Sequence, residues 1–274
     1  MTPLEAVHGV ARELAAARVP SPRVDAEHLV AHVLGMTRTE LYCAVGAPAA
    51  EDLLRLRALV DRRREREPLA YVLGEWGFRR LTLRVDHRAL VPRPETECVV
   101  ERCLLRLDGL AEPRVLDVGV GTGAIALSLA DEHHGARVTA VDRSAAALAL
   151  ARENAGRTGI DVELLRHDFH DGLPGGPYDL VVSNPPYVAP EEYGTLQPEI
   201  RLWEPREALV GVGVGEAVAR EALGVLRGGG WVVLECGDGQ APALAATLRS
   251  LGYEDALATR DLAGRERVVE ARRP

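Results

Sequence analysis

The pattern of apolar and polar positions divides the chain into two parts. In the first 75 residues, apolar side chains such as Leu4, Val7, Ala11 and Leu14 recur every three or four positions, the spacing of one face of an α-helix. Thr2, followed by a proline and an acidic side chain, is typical of a helix start. The pattern predicts four short helices, which begin at Thr2-Pro3, at Ser21-Pro22 (ending at Gly35), after Thr37 and near Ala50 (ending by Pro68).

The pattern changes near residue 70. Two short alternating segments, Tyr71–Gly74 and Leu81–Val85, predict a β-hairpin. From residue 114 onward, apolar strand-like segments alternate with helical ones, which predicts an α/β fold with a mainly parallel sheet and helices on both faces. Predicted strands are 114–118, 137–141, 162–165, 179–183 and 231–235, with an antiparallel pair at 253–259 and 266–271; predicted helices are 124–130, 144–154 and 216–226. We therefore predict a helical domain (1–72), a hairpin linker (73–93) and a Rossmann-like domain (94–274).

Composition and charge narrow the possible functions. The 274 residues are 47% hydrophobic and 27% charged, as in an ordinary globular protein. The net charge of -8 disfavours a protein that follows a phosphate backbone, so no direct nucleic-acid contact is expected. The chain has no lysine, which excludes a catalytic lysine. The arginine-rich run 62–66 has two interpretations, a solvated helix face or a contact surface for an acidic partner.

The cysteines and the N-terminal segment indicate the cellular setting. Cys43, Cys98, Cys103 and Cys236 have no metal-ligand spacing, so we expect buried, reduced thiols and no metal. No apolar run is long enough to cross a bilayer, and the first residues lack the basic start of a signal peptide. A cytoplasmic monomer without membrane contact is expected.

A glycine-rich segment follows the first predicted strand of the α/β part. Gly119, Val120, Gly121, Thr122 and Gly123 lie between that strand and a predicted helix. Glycines at such a turn let the backbone approach a ligand closely at the helix N-terminus, and the run fits a dinucleotide-binding pattern. A tight turn without a ligand is the alternative.

Acidic and aromatic residues at the following strand ends support a nucleoside ligand. Asp142 ends the next strand, where a carboxylate can accept both ribose hydroxyls, although it can also cap the following helix. Asp168 and Phe169 follow the third strand, where they could contact an adenine ring, and Asp117 precedes the glycine loop. These residues predict an adenosine-type cofactor without distinguishing a nicotinamide cofactor from S-adenosylmethionine.

Asn184-Pro185-Pro186-Tyr187 makes that distinction. This segment follows a predicted strand at the carboxyl edge of the sheet, where α/β sheets bind ligands. The Asn184 side-chain oxygen and the Pro185 backbone oxygen can accept both N–H bonds of a planar NH2 group, and Tyr187 can cover its face. Such an arrangement aims the nitrogen lone pair at a methyl donor and stabilises the charge that develops on nitrogen. A dehydrogenase would leave this segment unexplained; a non-catalytic cofactor-binding protein is a further alternative, against which the intact motif argues.

The chain resembles the HemK-type protein-(glutamine-N5) methyltransferases over nearly its whole length. The resemblance is carried by 119–125, by 183–188 and by Glu204-Pro-Arg-Glu-Ala-Leu209. An upstream block is the specific part, because nucleic-acid methyltransferases with Asn-Pro-Pro-Tyr usually lack it; it comprises 67–71, 74–78 and Val91-Pro-Arg-Pro-Glu-Thr-Glu97. Since Pro94-Glu95 is also a good helix start, no catalytic role is assigned to 92–97.

The resemblance implies a fold, a reaction and a partner. The fold is a class I S-adenosylmethionine-dependent methyltransferase sheet with an N-terminal helical bundle that helps to hold a peptide chain release factor. The reaction is methyl transfer to the glutamine of a Gly-Gly-Gln loop. Asn184 and Pro185 would grip its amide, and Pro186 and Tyr187 are expected to bind the substrate as well. Cofactor contacts are implied for 119–123, Asp142, Phe169 and Asn184. Glutamine methylation of a ribosomal protein, or adenine or guanine methylation of nucleic acid, remains an alternative at this point.

Overall fold

The computed structural model describes residues 2–274, which group into two units. The helical unit comprises residues up to Glu75 together with Gln197–Trp203, and the sheet unit comprises Trp76–Leu196 and Glu204–Pro274. The chain thus leaves the sheet unit after Leu196 and returns to it at Glu204. This segment, 197–203, lies within the range predicted from the sequence for the α/β domain, but the structure groups it with the helices.

Within the described residues, the helical unit contains six helices: α1 (Pro3–Ala16), α2 (Pro22–Leu34), α3 (Arg38–Leu41), α4 (Ala50–Arg64), α5 (Leu69–Leu73) and α9 (Pro198–Trp203). The four predicted helices are confirmed. At the start of α1, the Thr2 side chain accepts a hydrogen bond from the Glu5 N–H, and the Glu5 carboxylate accepts one from the Thr2 N–H, so both ends of a capping box are present. Gly35, with φ of 63°, ends α2 as a left-handed cap. The core lies between α1, α2 and α4 and includes Leu14, Leu29 and Val60.

The arginine run at the end of α4 fits neither predicted interpretation completely. Arg63 is 4% exposed, and its guanidinium contacts Asp25 Oδ2 at 2.7 Å and Glu199 Oε1 at 2.8 Å. Arg66 also binds Glu199. Asp25, Arg63, Arg66 and Glu199 form what we term the Arg63 cluster. The solvated-face interpretation is wrong for Arg63, because its charge is compensated inside the unit.

The sheet unit contains a hairpin and a seven-stranded sheet. Its strands are β1 (Glu75–Phe78, which begins one residue before the unit), β2 (Leu81–Arg84), β3 (Arg114–Val118), β4 (Arg137–Asp142), β5 (Glu163–Arg166), β6 (Tyr178–Ser183), β7 (Leu226–Glu235), β8 (Glu254–Arg260) and β9 (Glu266–Arg272). Its helices are α6 (Pro94–Leu107), α7 (Ala124–Glu132), α8 (Ala145–Thr158), α10 (Val214–Val225) and α11 (Ala241–Ser250). The large sheet has the order β5-β4-β3-β6-β7-β9-β8; β9 runs antiparallel to its neighbours and the other pairs are parallel. The predicted class of fold is confirmed.

The hairpin differs from its prediction. Residues 69–73 form α5, and the first strand begins only at Glu75, so the strand predicted at Tyr71–Gly74 is wrong. Gly74 has φ of 79° and ends α5, and a four-residue apolar segment cannot by itself distinguish a strand from a helical turn. The second strand is confirmed. Its Arg84 backbone exchanges two hydrogen bonds with the Asn154 amide of α8, which ties the hairpin into the sheet unit.

Two apolar layers cover the faces of the large sheet. One includes Val115, Leu127 and Leu180, and the other includes Leu116, Val181 and Leu234. Because neighbouring residues of β3 and β6 alternate between the layers, both faces are buried, as expected for a parallel sheet. Three of the four cysteines are buried, but Cys43 is exposed, contrary to the expectation for it. Among residues 2–274, no helix combines the length and the apolar character needed to cross a membrane.

Candidate active site

The carboxyl ends of the parallel strands open onto a cavity of about 270 Å³ in the sheet unit. Adjacent strand ends put the turns after β3, β4 and β6 side by side, since Val118 pairs with Val141 and with Ser183. Most predicted site residues line this cavity; Gly123 and Tyr187 do not. The predicted residues that line it are Gly119, Val120, Gly121, Thr122, Asp142, Phe169, Asn184, Pro185 and Pro186.

The glycine loop lies between β3 and α7. The N–H groups of Gly119 and Val120 both donate to the Val141 carbonyl, at 2.8 and 3.0 Å, so the loop folds back over the end of β4. Gly119 has φ of 86°, and a Cβ atom there would meet no atom within 4 Å. The space that this glycine leaves open belongs to the cavity, which its backbone lines. A larger residue would be strained and would fill space available to a ligand.

Asp142 accepts hydrogen bonds from two backbone N–H groups, while the cap of α8 is Ser144; its predicted contact with ribose hydroxyls stays a prediction. Its Oδ1 accepts a hydrogen bond from the Ser144 N–H at 2.9 Å, and its Oδ2 accepts one from the Gly121 N–H at 3.1 Å. The carboxylate therefore links the glycine loop to the start of α8. Burial raises the pKa of Asp142, while these two N–H groups oppose the rise. Each oxygen retains a second lone pair with which a ligand hydroxyl could be bound.

Phe169 also lines the cavity. Its ring packs on that of His170, with ring centroids 4.0 Å apart. Asp168 also lines the cavity, but its Oδ1 already accepts from the backbone N–H and Nδ1 of His170. Hydrogen bonds from His170 lower the pKa of Asp168. Phe169 thus offers an aromatic surface, and Asp168 is held in place by its neighbour.

The Asn-Pro-Pro segment is fixed at both ends. Before it, the Ser183 hydroxyl donates to the Val118 carbonyl at 2.6 Å. After it, the Val188 N–H donates to the Leu209 carbonyl and the Gly211 N–H donates to the Val188 carbonyl. A Cβ at Gly211 would lie 3.0 Å from the Pro186 backbone oxygen, so this close approach requires glycine. The prolines and these flanking bonds make the loop rigid.

A chain of hydrogen bonds runs from Asn184 into the protein interior. The Asn184 Nδ2 donates to Thr96 Oγ1 at 3.2 Å, and Thr96 Oγ1 donates to Glu235 Oε2 at 2.6 Å. The Tyr187 hydroxyl donates to Glu235 Oε1 at 3.3 Å. We term these four residues the Asn184 network. Tyr187 therefore points its hydroxyl at Glu235, and its predicted role in covering the substrate stays a prediction.

Two buried carboxyl groups next to the cavity have raised pKa values. Asp117 is 1% exposed, and in the described part of the chain neither of its oxygens has a hydrogen-bond partner of normal geometry. Burial, and then the charge of Asp142, raises the pKa of Asp117 to about 7, although the Ala126 N–H opposes this. Burial raises the pKa of Glu235 to about 7, against hydrogen bonds from Thr96 and Tyr187. Perturbed carboxyls of this kind concentrate at functional sites.

Several site residues were not identified from the sequence. Thr96 and Arg93 line the cavity, although 92–97 was given no catalytic role. Arg93 donates to both oxygens of Glu204, at 2.6 and 2.7 Å. Glu235 ends β7, and Ser183, just before Asn184, pairs with Leu234. An acidic residue at the end of the strand next to the Asn-Pro-Pro strand was the signal that could have identified it.

Comparisons with known protein families divide the sequence much as the fold does. Residues 5–74 match the family described as "PrmC N-terminal domain", and residues 101–233 match the family described as "Methyltransferase small domain". The first match lies within the helical unit and the second within the sheet unit.

Individual relatives cover almost the whole chain. A release factor glutamine methyltransferase of Deinococcus radiodurans is 45% identical over 267 residues, 95% of this chain and 94% of that one. A protein of the same name from Bordetella pertussis is 44% identical and covers 90% of this chain and 93% of its own. Among solved structures, a T. thermophilus 16S rRNA N2 G1207 methyltransferase is similar in fold, with a TM-score of 0.53, 21% identity and coverage of 73% of this chain and 50% of that one.

Proposed function

The chain belongs to the family of release factor glutamine methyltransferases, and from this premise we propose that it methylates the side-chain nitrogen of the glutamine in the Gly-Gly-Gln loop of a release factor. The observation that carries the proposal is that Asn184 and Pro185 line the same cavity as the glycine loop, Asp142 and Phe169. The cavity thus combines residues suited to an amide with residues suited to an adenosine.

The residues at the cavity fit S-adenosylmethionine as the methyl donor. The open space at Gly119 gives a ligand access to the loop backbone, Asp142 retains lone pairs for ribose hydroxyls, and Phe169 offers a surface for adenine. Among residues 2–274, no group of three or more His, Cys, Asp or Glu side chains could hold a metal ion. When bound, S-adenosylmethionine supplies a methyl group attached to a positively charged sulfur. The sulfur is a good leaving group because it departs as a neutral thioether.

The protein's part in the reaction is to orient a weak nucleophile. A carboxamide nitrogen is weakly nucleophilic because its lone pair is delocalised into the carbonyl. If the Asn184 side-chain oxygen and the Pro185 backbone oxygen accept its two N–H bonds, the lone pair lies perpendicular to both and faces the methyl group. The same two oxygens stabilise the positive charge that grows on nitrogen as the N–C bond forms. One N–H proton is then lost, which restores the neutral amide.

The release factor is the proposed partner, and it has the neutral carboxamide that this site requires. A cytoplasmic location and a monomeric state remain predictions. The test is to incubate the protein with S-adenosylmethionine and a release factor and to map methylation by mass spectrometry. We expect one methyl group on the Gly-Gly-Gln glutamine and none on a factor with alanine in its place. Methylation only of ribosomal protein or RNA, offered in the same assay, would overturn the proposal.

Asn184 provides the variant that tests the chemistry. Asn184→Ala removes one of the two predicted acceptors, so we expect kcat to fall by about 10²–10³, as for loss of one preorganised polar partner. Calorimetry should find S-adenosylmethionine affinity within a few-fold of wild type, since the glycine loop and Asp142 are untouched. A variant with full kcat would show that Asn184 does not grip the substrate.

A further inference from the structure

The Asn184 network limits how the Asn184 carboxamide can be oriented. A side-chain amide has an oxygen on one side and an NH2 group on the other, and the two orientations have nearly the same shape. Only the orientation with the oxygen toward a substrate amide gives an acceptor for its N–H bond. The other would bring two NH2 groups together. The reaction therefore depends on what distinguishes the two orientations.

Thr96 makes that distinction because its hydroxyl has a single hydrogen. Glu235, when ionised, can only accept, so the 2.6 Å contact between the two oxygens requires Thr96 to donate. Thr96 Oγ1 then has only lone pairs to offer Asn184, and the group 3.2 Å away must be Nδ2. Turning the Asn184 oxygen toward Thr96 would oppose two acceptors. Both Thr96 and Glu235 are buried, at 5% and 2% exposure, so water cannot readily relieve that repulsion.

We propose that Thr96 and Glu235 are positioning residues that hold the Asn184 carboxamide with Oδ1 directed at the substrate nitrogen. This inference rests on the proposed function, since it concerns how the same site binds a carboxamide. Each acts through Asn184: Thr96 lines the cavity, but its hydroxyl is engaged by Asn184 and Glu235. Tyr187 assists by donating to the other Glu235 oxygen, which favours the ionised carboxylate.

The orientation depends on the ionisation of Glu235. A protonated Glu235 can donate to Thr96 Oγ1, which frees the Thr96 hydrogen to turn toward Asn184 and permits the wrong orientation. Because the pKa of Glu235 is about 7, this change falls near neutral pH. Four titratable or charged groups surround it: Tyr187 and Arg267 favour its ionisation, Glu95 opposes it, and Cys236 is its neighbour in the chain.

The first variants separate the effect of the Thr96 hydroxyl from the effect of the side-chain volume. Thr96→Val keeps the volume but removes the hydroxyl, and we expect kcat to fall about 10- to 100-fold, in line with loss of precise orientation, with S-adenosylmethionine affinity unchanged by calorimetry. Thr96→Ser should recover most of the loss. Thr139→Val is the matched control, because Thr139 makes a similar bond to Glu163, at 2.8 Å, on strands β4 and β5. It should retain wild-type kcat.

Glu235→Gln tests the dependence on charge. The glutamine NH2 group can donate to Thr96, so the two Asn184 orientations become similar and kcat falls. The wild-type kcat should decrease as pH falls through about 7, and this pH limb should disappear in Glu235→Gln. If kcat of Glu235→Gln still decreases as pH falls through about 7, another group such as Asp117 is responsible and the role of Glu235 is overturned. A wild-type kcat in Thr96→Val would overturn the role of Thr96. If the wild-type protein methylates no glutamine at all, the proposed function fails instead.

Discussion

The helical unit and the cavity of the sheet unit both bury carboxyl groups, but they treat the charge in opposite ways. In the Arg63 cluster, Glu199 is 8% exposed and receives hydrogen bonds from Arg63 and Arg66. Beside the cavity, Glu235 receives hydrogen bonds from the Thr96 and Tyr187 hydroxyls. Burial alone would raise the pKa of Glu199, but the two arginines outweigh it and lower the pKa. The pKa values of Glu235 and Asp117 are raised.

The comparison shows what each kind of burial is suited to do. A buried carboxylate whose pKa is lowered by two arginine partners, as at Glu199, keeps its charge near neutral pH and holds segments together. In the Arg63 cluster it holds α9, which follows the Asn-Pro-Pro segment in sequence, against Arg63 of α4, and Arg63 in turn binds Asp25 of α2. A carboxyl group without such a partner can gain or lose a proton near neutral pH, which is useful where orientation or charge must respond to a ligand.

The largest effect should follow from breaking the Arg63 cluster. Arg63→Ala leaves the Asp25 carboxylate without its 2.7 Å partner and Glu199 with one arginine instead of two. Removing one member of a buried ion pair typically costs about 3–5 kcal/mol, and we expect that loss in the free energy of unfolding of the helical unit, measured with urea. Arg57→Ala is the control, since Arg57 pairs with Glu13 at the surface, and it should leave stability unchanged. Equal behaviour of the two variants would show that the Arg63 cluster is not a structural element.

The pH dependence of stability that comes from Asp117 should be opposite to that of the Arg63 cluster. Its folded pKa of about 7 exceeds the ordinary 3.8, so its contribution is fully present below pH 3.8 and is lost as pH rises through about 7. At 1.36 kcal/mol per pKa unit, the loss amounts to about 4 kcal/mol. Asp117→Asn, measured by urea unfolding from pH 4 to pH 8 without S-adenosylmethionine, should lack this loss and be more stable than wild type at pH 8.

Glu199→Gln serves as the counterpart to Asp117→Asn. Because the pKa of Glu199 is lowered, its contribution is present above about pH 4.5 and is lost as pH falls. The glutamine variant should therefore lose stability at neutral pH and converge with wild type in acid. If both variants changed stability in the same direction across this pH range, the contrast between the two regions would be wrong.

The same contrast explains which parts could be predicted from the sequence. The strand and helix pattern identified the α/β sheet, and the glycine loop, Asp142 and Asn184 were found because they follow strands that end at one edge. Local pattern could not identify α9 as part of the helical unit, since its place depends on Glu199 contacting Arg63, 136 positions away. Thr96 was likewise missed, because its role comes from Glu235, 139 positions away. The exchange of hydrogen bonds between distant residues leaves no periodic signal.

The smallest effect concerns a buried carboxyl of the sheet unit that has arginine partners. Glu270 on β9 has a side chain with 0% exposure and is bound by Arg102 and Arg106 of α6; these arginines lower its pKa although burial opposes them. It therefore follows the pattern of the Arg63 cluster despite belonging to the other unit. Arg106→Ala also removes a cation that lies 3.8 Å from the Trp231 ring centroid.

Because Arg102 still binds Glu270 in Arg106→Ala, we expect a loss of only about 1–2 kcal/mol in unfolding free energy and no change in kcat with a release factor. The comparison would then be one between carboxyls whose pKa two arginines lower and carboxyls beside the cavity whose pKa burial raises, whichever unit holds them. Urea unfolding and a methylation assay on the same preparation measure both quantities. A tenfold lower kcat with unchanged stability would contradict this, because it would give a paired carboxylate, outside the residues lining the cavity, a part in the reaction.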